Sequence, residues 1–444
     1  MCGILLLSAS LGSLMNIGTT TVERVSVILV LALGALLALP GGSLRTTPVR
    51  AVAVWTYVAF LVVSLLRFAA APIAPVTART VLGFALMIVT VTGFAFCALL
   101  APANRGLLQR RVRCALYSPV CFVAINLGLY AMGVTFSPNV GQEQTNKGPA
   151  QLLGLIGIHT SRASLPLSPG LNGMGEASAL ALVICAVLAY RGGGRLRAVS
   201  VLGVLLSVTA LLLVDSRGPL LYALLALVIM AVVPRWARRA VVILPILLLS
   251  APAIILFIVG QLGSLSSTFS RNPGDFVTAT GRSKIWSIVG QFLSHPHVED
   301  LIGYGAYGQV RSGVSAQYAY LFHIEHPEFV SAHNIALQTV LDMGYIGLAV
   351  FVFFLMVVIN SARASNQKTD TPESAALLAA LIALSLFGAS EALPGLAGIY
   401  LLVSLVVLAC AAIRVQSWGR MSTAVTRQAS DRAPPRLVDG VVRT

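Results

Sequence analysis

Residues 198–233 read AVSVLGVLLSVTALLLVDSRGPLLYALLALVIMAVV. Two apolar runs, 198–214 and 218–233, are separated only by Asp215, Ser216 and Arg217. A helix crossing about 30 Å of hydrocarbon needs roughly 20 largely apolar residues and satisfies its own backbone hydrogen bonds. Two such runs joined by three polar residues describe a membrane hairpin whose tight turn emerges at one face. The same pattern recurs at 2–17, 25–39, 51–66, 80–100, 115–133, 174–190, 240–259, 337–359, 375–390 and 395–413. The chain is 57% hydrophobic and 10% charged, which leaves too few polar residues to clothe a soluble domain of 444 residues. We therefore expect an all-α polytopic membrane protein with about 12 transmembrane helices.

The formal net charge is +15, but the basic residues sit between apolar runs, so the charge speaks of topology rather than of a nucleic-acid partner. Twenty of the thirty Lys and Arg residues fall in alternate loops and the tail, around Arg45 and Arg50, Arg105 to Arg113, Arg191 to Arg197, Arg235 to Arg239, Arg363 and Lys368, and after Ile413. By the positive-inside rule both termini are cytoplasmic, in a multi-pass protein of the cytoplasmic membrane. All six cysteines lie in apolar runs or beside the basic loops, so no disulfide framework is expected. The first run begins at Met1 without a basic leader and reads as a retained helix.

This sidedness leaves two long outside segments, about 134–173 and 260–336. The chain divides into helices 1–9 (1–259), an extracytoplasmic loop (260–336), helices 10–12 (337–413) and a polar tail (414–444). Within the loop, Thr280 is placed to cap a helix whose apolar residues Ile285, Ile288, Val289, Phe292 and Leu293 follow the 3.6 period. We expect it to lie on the outer membrane surface as a roof, with Trp286 at headgroup level.

Three motifs outside carry chemistry. Arg217 opens a helix in Ser216-Arg217-Gly218-Pro219, with Asp215 or Ser216 as cap, and combines a guanidinium with unpaired helix N–H groups. It suits an anion; the alternatives are a pair with Asp215 or lipid phosphate. Arg282, in Gly281-Arg282-Ser283-Lys284-Ile285-Trp286, has the same character. Two such ends can hold a diphosphate without metal. His333, in Ala332-His333-Asn334, leads into a helix that continues through Gly344-Tyr345-Ile346-Gly347 and is a candidate general base, the alternative being a polar interface cap.

Together, Ser216-Arg217-Gly218, Gly281-Arg282 with Trp286, and His333-Asn334 resemble the motifs of the O-antigen ligase and Wzy-type polymerase family, in order and sidedness, over roughly residues 120–413. The resemblance implies a GT-C-like membrane glycosyltransferase. It would move a glycan from a polyprenyl-diphosphate carrier to an acceptor hydroxyl on a lipid or glycan, at the outer face of the membrane, without cofactor. Arg217 and Arg282 would bind the diphosphate, His333 would deprotonate the acceptor, and inversion is the simplest outcome. By the same resemblance Arg162 is a candidate third phosphate contact, or a solvated loop residue, and Glu176 is a candidate partner for an arginine or a sugar.

Gly303-Tyr304-Gly305-Ala306-Tyr307-Gly308 has G-x-G-x-x-G form but follows no strand, so it reads as a turn. His295, His297, His323 and His326 lack a zinc spacing, and no metal is expected. The rival readings are a transporter or flippase for lipid-linked glycan, and a non-catalytic scaffold. A transporter would place its polar groups near the bilayer midplane rather than at one face.

Overall fold

The computed structural model describes residues 48–74, 76–78, parts of 81–92, 105–134, 150–154, 157–168, 171–232, 241–247, 282–295, 297–322, 327–391 and 404–416. Outside them lie the expected helices at 2–17 and 25–39, most of those at 80–100 and 240–259, loop residues 135–149 and 260–281 with Thr280, His323 and His326, and the tail from 417.

The described part is helical, without strands. Its main helices are α1 (Pro48–Ala70), α2 (Arg105–Ala131), α3 (Leu171–Arg191), α4 (Gly194–Val214), α5 (Arg217–Val232), α6 (Arg282–Leu293), α7 (Ile335–Thr369), α8 (Pro372–Phe387) and α9 (Ser404–Gln416). Within α1, α2, α3, α4 and α7 lie stretches long and apolar enough to cross a membrane; α5, α8 and α9 are shorter apolar helices. These eight correspond to eight of the twelve expected runs.

Helix α3 is the centre, packed on α2, α4, α5 and α8. Its residues Met174 to Cys185 are all buried. Helix α8, rich in Ala and Leu, is buried along its whole length after Pro372. Small side chains let these two axes approach their neighbours, since packing rather than hydrophobicity joins helices in a bilayer. Leu202 and Leu205 on α4, and Leu221, Leu224 and Val228 on α5, face outward as lipid-facing residues do.

One end of the bundle is basic. There Arg191 Nη1 lies 3.0 Å from Asp370 and Arg113 pairs with Glu373, closing the turn between α7 and α8. Thr371 caps α8, its side chain accepting from Ser374 N, with Pro372 in the first turn. The opposite end gathers the start of α3, the α4–α5 turn, the start of α7 and the end of α8.

The roof departs from expectation at two points. Helix α6 exists, but Trp286 is not at a lipid interface. It is 4% exposed and donates from Nε1 to Ala332 O at 3.0 Å, while Ile285 and Val289 join Val314, Tyr318, Ala332 and Leu341 in a second small core. The apolar face of α6 is covered by the roof's own residues together with Leu341 of α7. Second, α7 does not run smoothly through Gly344, which has φ 74° and ψ −178° and breaks the helix. Against this break lies the glycine-rich turn. Tyr304 N donates to Leu341 O at 2.8 Å, Gly305 N to Asp342 O at 3.0 Å and Gly308 N to Asp342 Oδ1 at 2.8 Å. The glycines 303, 308 and 344 let two backbones touch, since a Cβ at any of them would collide with main chain. Gly344→Ala, with both a positive φ and a clash against Leu301 O, is expected to lower stability by at least about 1–3 kcal/mol. Thermal unfolding of the detergent-solubilised protein checks it.

Candidate active site at the outer helix ends

His333 is built into a pinned strain. Its φ is 47°, a conformation that non-glycine residues adopt at a cost. Both neighbours are held. Ala332 N donates to Gln338 Oε1 at 2.9 Å while Ala332 O accepts from Trp286. Asn334 caps α7, its Oδ1 accepting from Ala336 N and Leu337 N at 3.0 Å, and its Nδ2 donates to Ala389 O at 3.1 Å. Ile335 N donates to Gly388 O at 2.8 Å. Gly388 permits this approach, because a Cβ there would stand 2.7 Å from Ile335 Cγ2. The His-Asn motif is thereby latched to the end of α8.

That latch delivers a residue the sequence reading missed. Glu391 Oε2 lies 3.2 Å from His333 Nδ1, and Glu391 Oε1 accepts from Arg282 Nη2. Asn172 Nδ2 also reaches Glu391 Oε1, at 3.4 Å. Burial alone would push the Glu391 carboxyl up, but the Arg282 guanidinium and the His333 hydrogen bond outweigh it and hold it below its usual range. Glu391 is thus an anion held between Arg282 and His333, with Asn172 as a third partner. When His333 Nδ1–H donates to it, Nε2 keeps a free lone pair, the form a base requires. Glu391 has a signal in the sequence. In a chain with 15 acidic residues it stands in a short connection between two apolar runs.

Arg217 stands at the first position of α5. Its Nε is 3.5 Å from Asp215 Oδ1, and its Nη2 donates to Gln151 Oε1. The pair with Asp215, one of the alternatives raised by the sequence, is therefore present. Asp215 does not cap α5; it closes α4 in a left-handed conformation with φ 53°. Ser216 turns its hydroxyl to Leu171 O at 3.1 Å, and Gly175 makes room for it. Tyr222, further along α5, hydrogen-bonds Ser390 beside Glu391. Arg217 is therefore tied to the Arg282–Glu391–His333 cluster through α3 and through α5.

Arg162 is buried, and its Nε donates to Val214 O at 2.9 Å while Ala163 N donates to Leu213 O at 2.8 Å. It anchors the incoming segment to the end of α4 beneath the Asp215–Arg217 turn and is not a solvated loop arginine. Glu176 is 4% exposed on the second turn of α3, with Arg282 and Glu391 as its charged neighbours. His295 and His297 lie on the roof away from this cluster. His295 Nδ1 is 3.2 Å from Gln291 O, and His297 stacks on Phe292 with its Nδ1 3.6 Å from Asp300. Among the described residues no group of three His, Cys, Asp or Glu side chains has the arrangement of a metal site.

Residues 202–352 match a family model described as O-antigen ligase. The matched stretch contains Arg217, Arg282 and His333 and ends before Glu391. No curated protein matches the chain.

Proposed function

We propose, from the match of residues 202–352 to a family model described as O-antigen ligase, a membrane glycosyltransferase that moves a glycan from a polyprenyl-diphosphate carrier to an acceptor hydroxyl. The observation that carries this reading is the Arg282–Glu391–His333 chain of contacts at the helix ends opposite the basic face. Chemically, the two halves of the reaction have their groups. Arg217 and Arg282 offer guanidinium forks at helix starts for the leaving diphosphate, whose negative charge grows as the glycosidic bond breaks. His333 Nε2 takes the proton from the attacking hydroxyl, and Glu391 orients the ring and stabilises the imidazolium formed. An attack opposite the leaving group inverts the sugar carbon. In the free protein Gln151 and Asp215 occupy the Arg217 guanidinium and Glu391 occupies that of Arg282, so binding exchanges these partners for phosphate oxygens.

The reading places the site on the extracytoplasmic face, because the opposite end carries Arg113, Arg191, Arg363 and Lys368. A transporter is disfavoured by the same geometry, since Arg217, Arg282, His333 and Glu391 stand at helix ends and not at mid-span. Cells carrying Arg217→Ala or Arg282→Ala at normal protein level are expected to accumulate the lipid-linked donor and lose product by tenfold or more, roughly the loss of one or two charge-assisted contacts. Extraction and quantification of polyprenyl-diphosphate-linked glycan checks it. Unchanged donor and product in both variants would sink the diphosphate site.

A further inference from the structure

Glu176 has no visible reason to be where it is. It is buried on α3, its Oε1 has no hydrogen-bond partner among the described residues, and its charged neighbours are Glu391 and Arg282. Arg282 Nη2 donates to Glu391 and not to Glu176 Oε1. A buried carboxyl without a donor is costly, and a second carboxyl beside it adds to the cost. A ligand bound beside Arg282 and Glu391 can supply the donor that Oε1 lacks.

The chemistry of a lipid-linked glycan allows one assignment. Its isoprenoid chain has no donors, and its ionised diphosphate has only acceptors and would be repelled. The sugar alone brings O–H or N–H groups. Because Glu176 stands next to Arg282, the sugar concerned is the one joined to the diphosphate. Resting on the diphosphate reading of Arg217 and Arg282, we propose that Glu176, with Glu391 and Asn172 beside it, forms the subsite for the carrier-linked sugar, accepts hydrogen bonds from its hydroxyl or amide groups, and selects against acidic sugars. The site thus has two ends, cationic for the diphosphate and donor-seeking for the sugar. A uronate at this position would set its carboxylate against the Glu391 anion.

The test is binding to the full-length protein in nanodiscs. The probes are polyprenyl diphosphate alone, the same carrier bearing N-acetylglucosamine, and the same carrier bearing glucuronate. Wild type is expected to bind the N-acetylglucosamine carrier about tenfold more tightly than the bare carrier and than the glucuronate carrier, the scale set by polar groups left unpaired in a site built to use them. Glu176→Leu keeps bare-carrier affinity but loses the gain from the sugar. Glu176→Gln retains an amide oxygen to accept hydrogen bonds and keeps part of the gain from the sugar. Equal wild-type affinity for the two sugar carriers, or an unchanged sugar preference in both variants at wild-type thermal stability, overturns the subsite. Failure of the bare carrier to bind wild type overturns the diphosphate reading instead, and with it this proposal.

Discussion

His333→Ala is expected to lower glycan transfer by about two to four orders of magnitude, the range a positioned general base supplies, with donor binding retained. The loss should fall on kcat, because His333 meets the acceptor proton during bond formation while the arginines hold the carrier. The residual rate should also rise with pH, as hydroxide takes over from the missing base. The side chain is not part of the latch around it: Ala332 is held through its backbone by Gln338 and Trp286, and the cap on α7 belongs to Asn334. Alanine in a left-handed conformation adds a local cost, so membrane levels have to be measured alongside. Wild-type transfer by a normally inserted His333→Ala protein would remove the base from the mechanism and favour the transporter or the scaffold.

Glu391→Gln separates charge from shape. The amide oxygen can still accept from Arg282 or His333, but the anion that stabilises imidazolium is gone, and transfer is expected to fall on the order of a hundredfold or more by analogy with carboxylate–histidine pairs elsewhere. The substitution also carries a pH signature in stability. The folded carboxyl lies below its usual range, so its stabilising contribution is complete above the unfolded value of about 4.3 and is lost as pH falls through the lower folded value. The gap in melting temperature between wild type and Glu391→Gln should therefore stay constant near neutrality and close only on acidification below about pH 4.3. A gap that closes on raising pH instead would mean that Glu391 is not held as an anion. Kinetics of the variant decide the catalytic part: a change confined to KM would make Glu391 a binding group rather than the partner of His333.

The roof shows where local pattern stops being informative. The 3.6 period of Ile285, Val289 and their neighbours is enough to specify α6, because apolar spacing and backbone sterics are local. Which surface that face meets is not local. Trp286 is as suited to a headgroup layer as to a buried pocket, and only the fold supplies Ala332 O as the acceptor for its N–H. Gly303-Tyr304-Gly305-Ala306-Tyr307-Gly308 is legible as a turn, yet its glycines answer to the break of α7 at Gly344, some forty residues on.

Membrane character, the eight described helix positions and the basic end were all determined by sequence alone. The physical reason is that hydrocarbon imposes a length and a polarity on each helix separately, and loop charge sets their direction. Arg217, Arg282 and His333 were also legible, as rare polar groups at helix starts. Tertiary structure alone decided that Glu391 joins Arg282 to His333 from 58 residues beyond the histidine, that Arg162 is an internal anchor, and that Glu176 Oε1 has no hydrogen-bond partner among the described residues. Those outcomes depend on which helix ends meet, and that is settled by close packing at Gly175 and Gly388 and by the cap at Asn334, contacts between residues far apart in the chain.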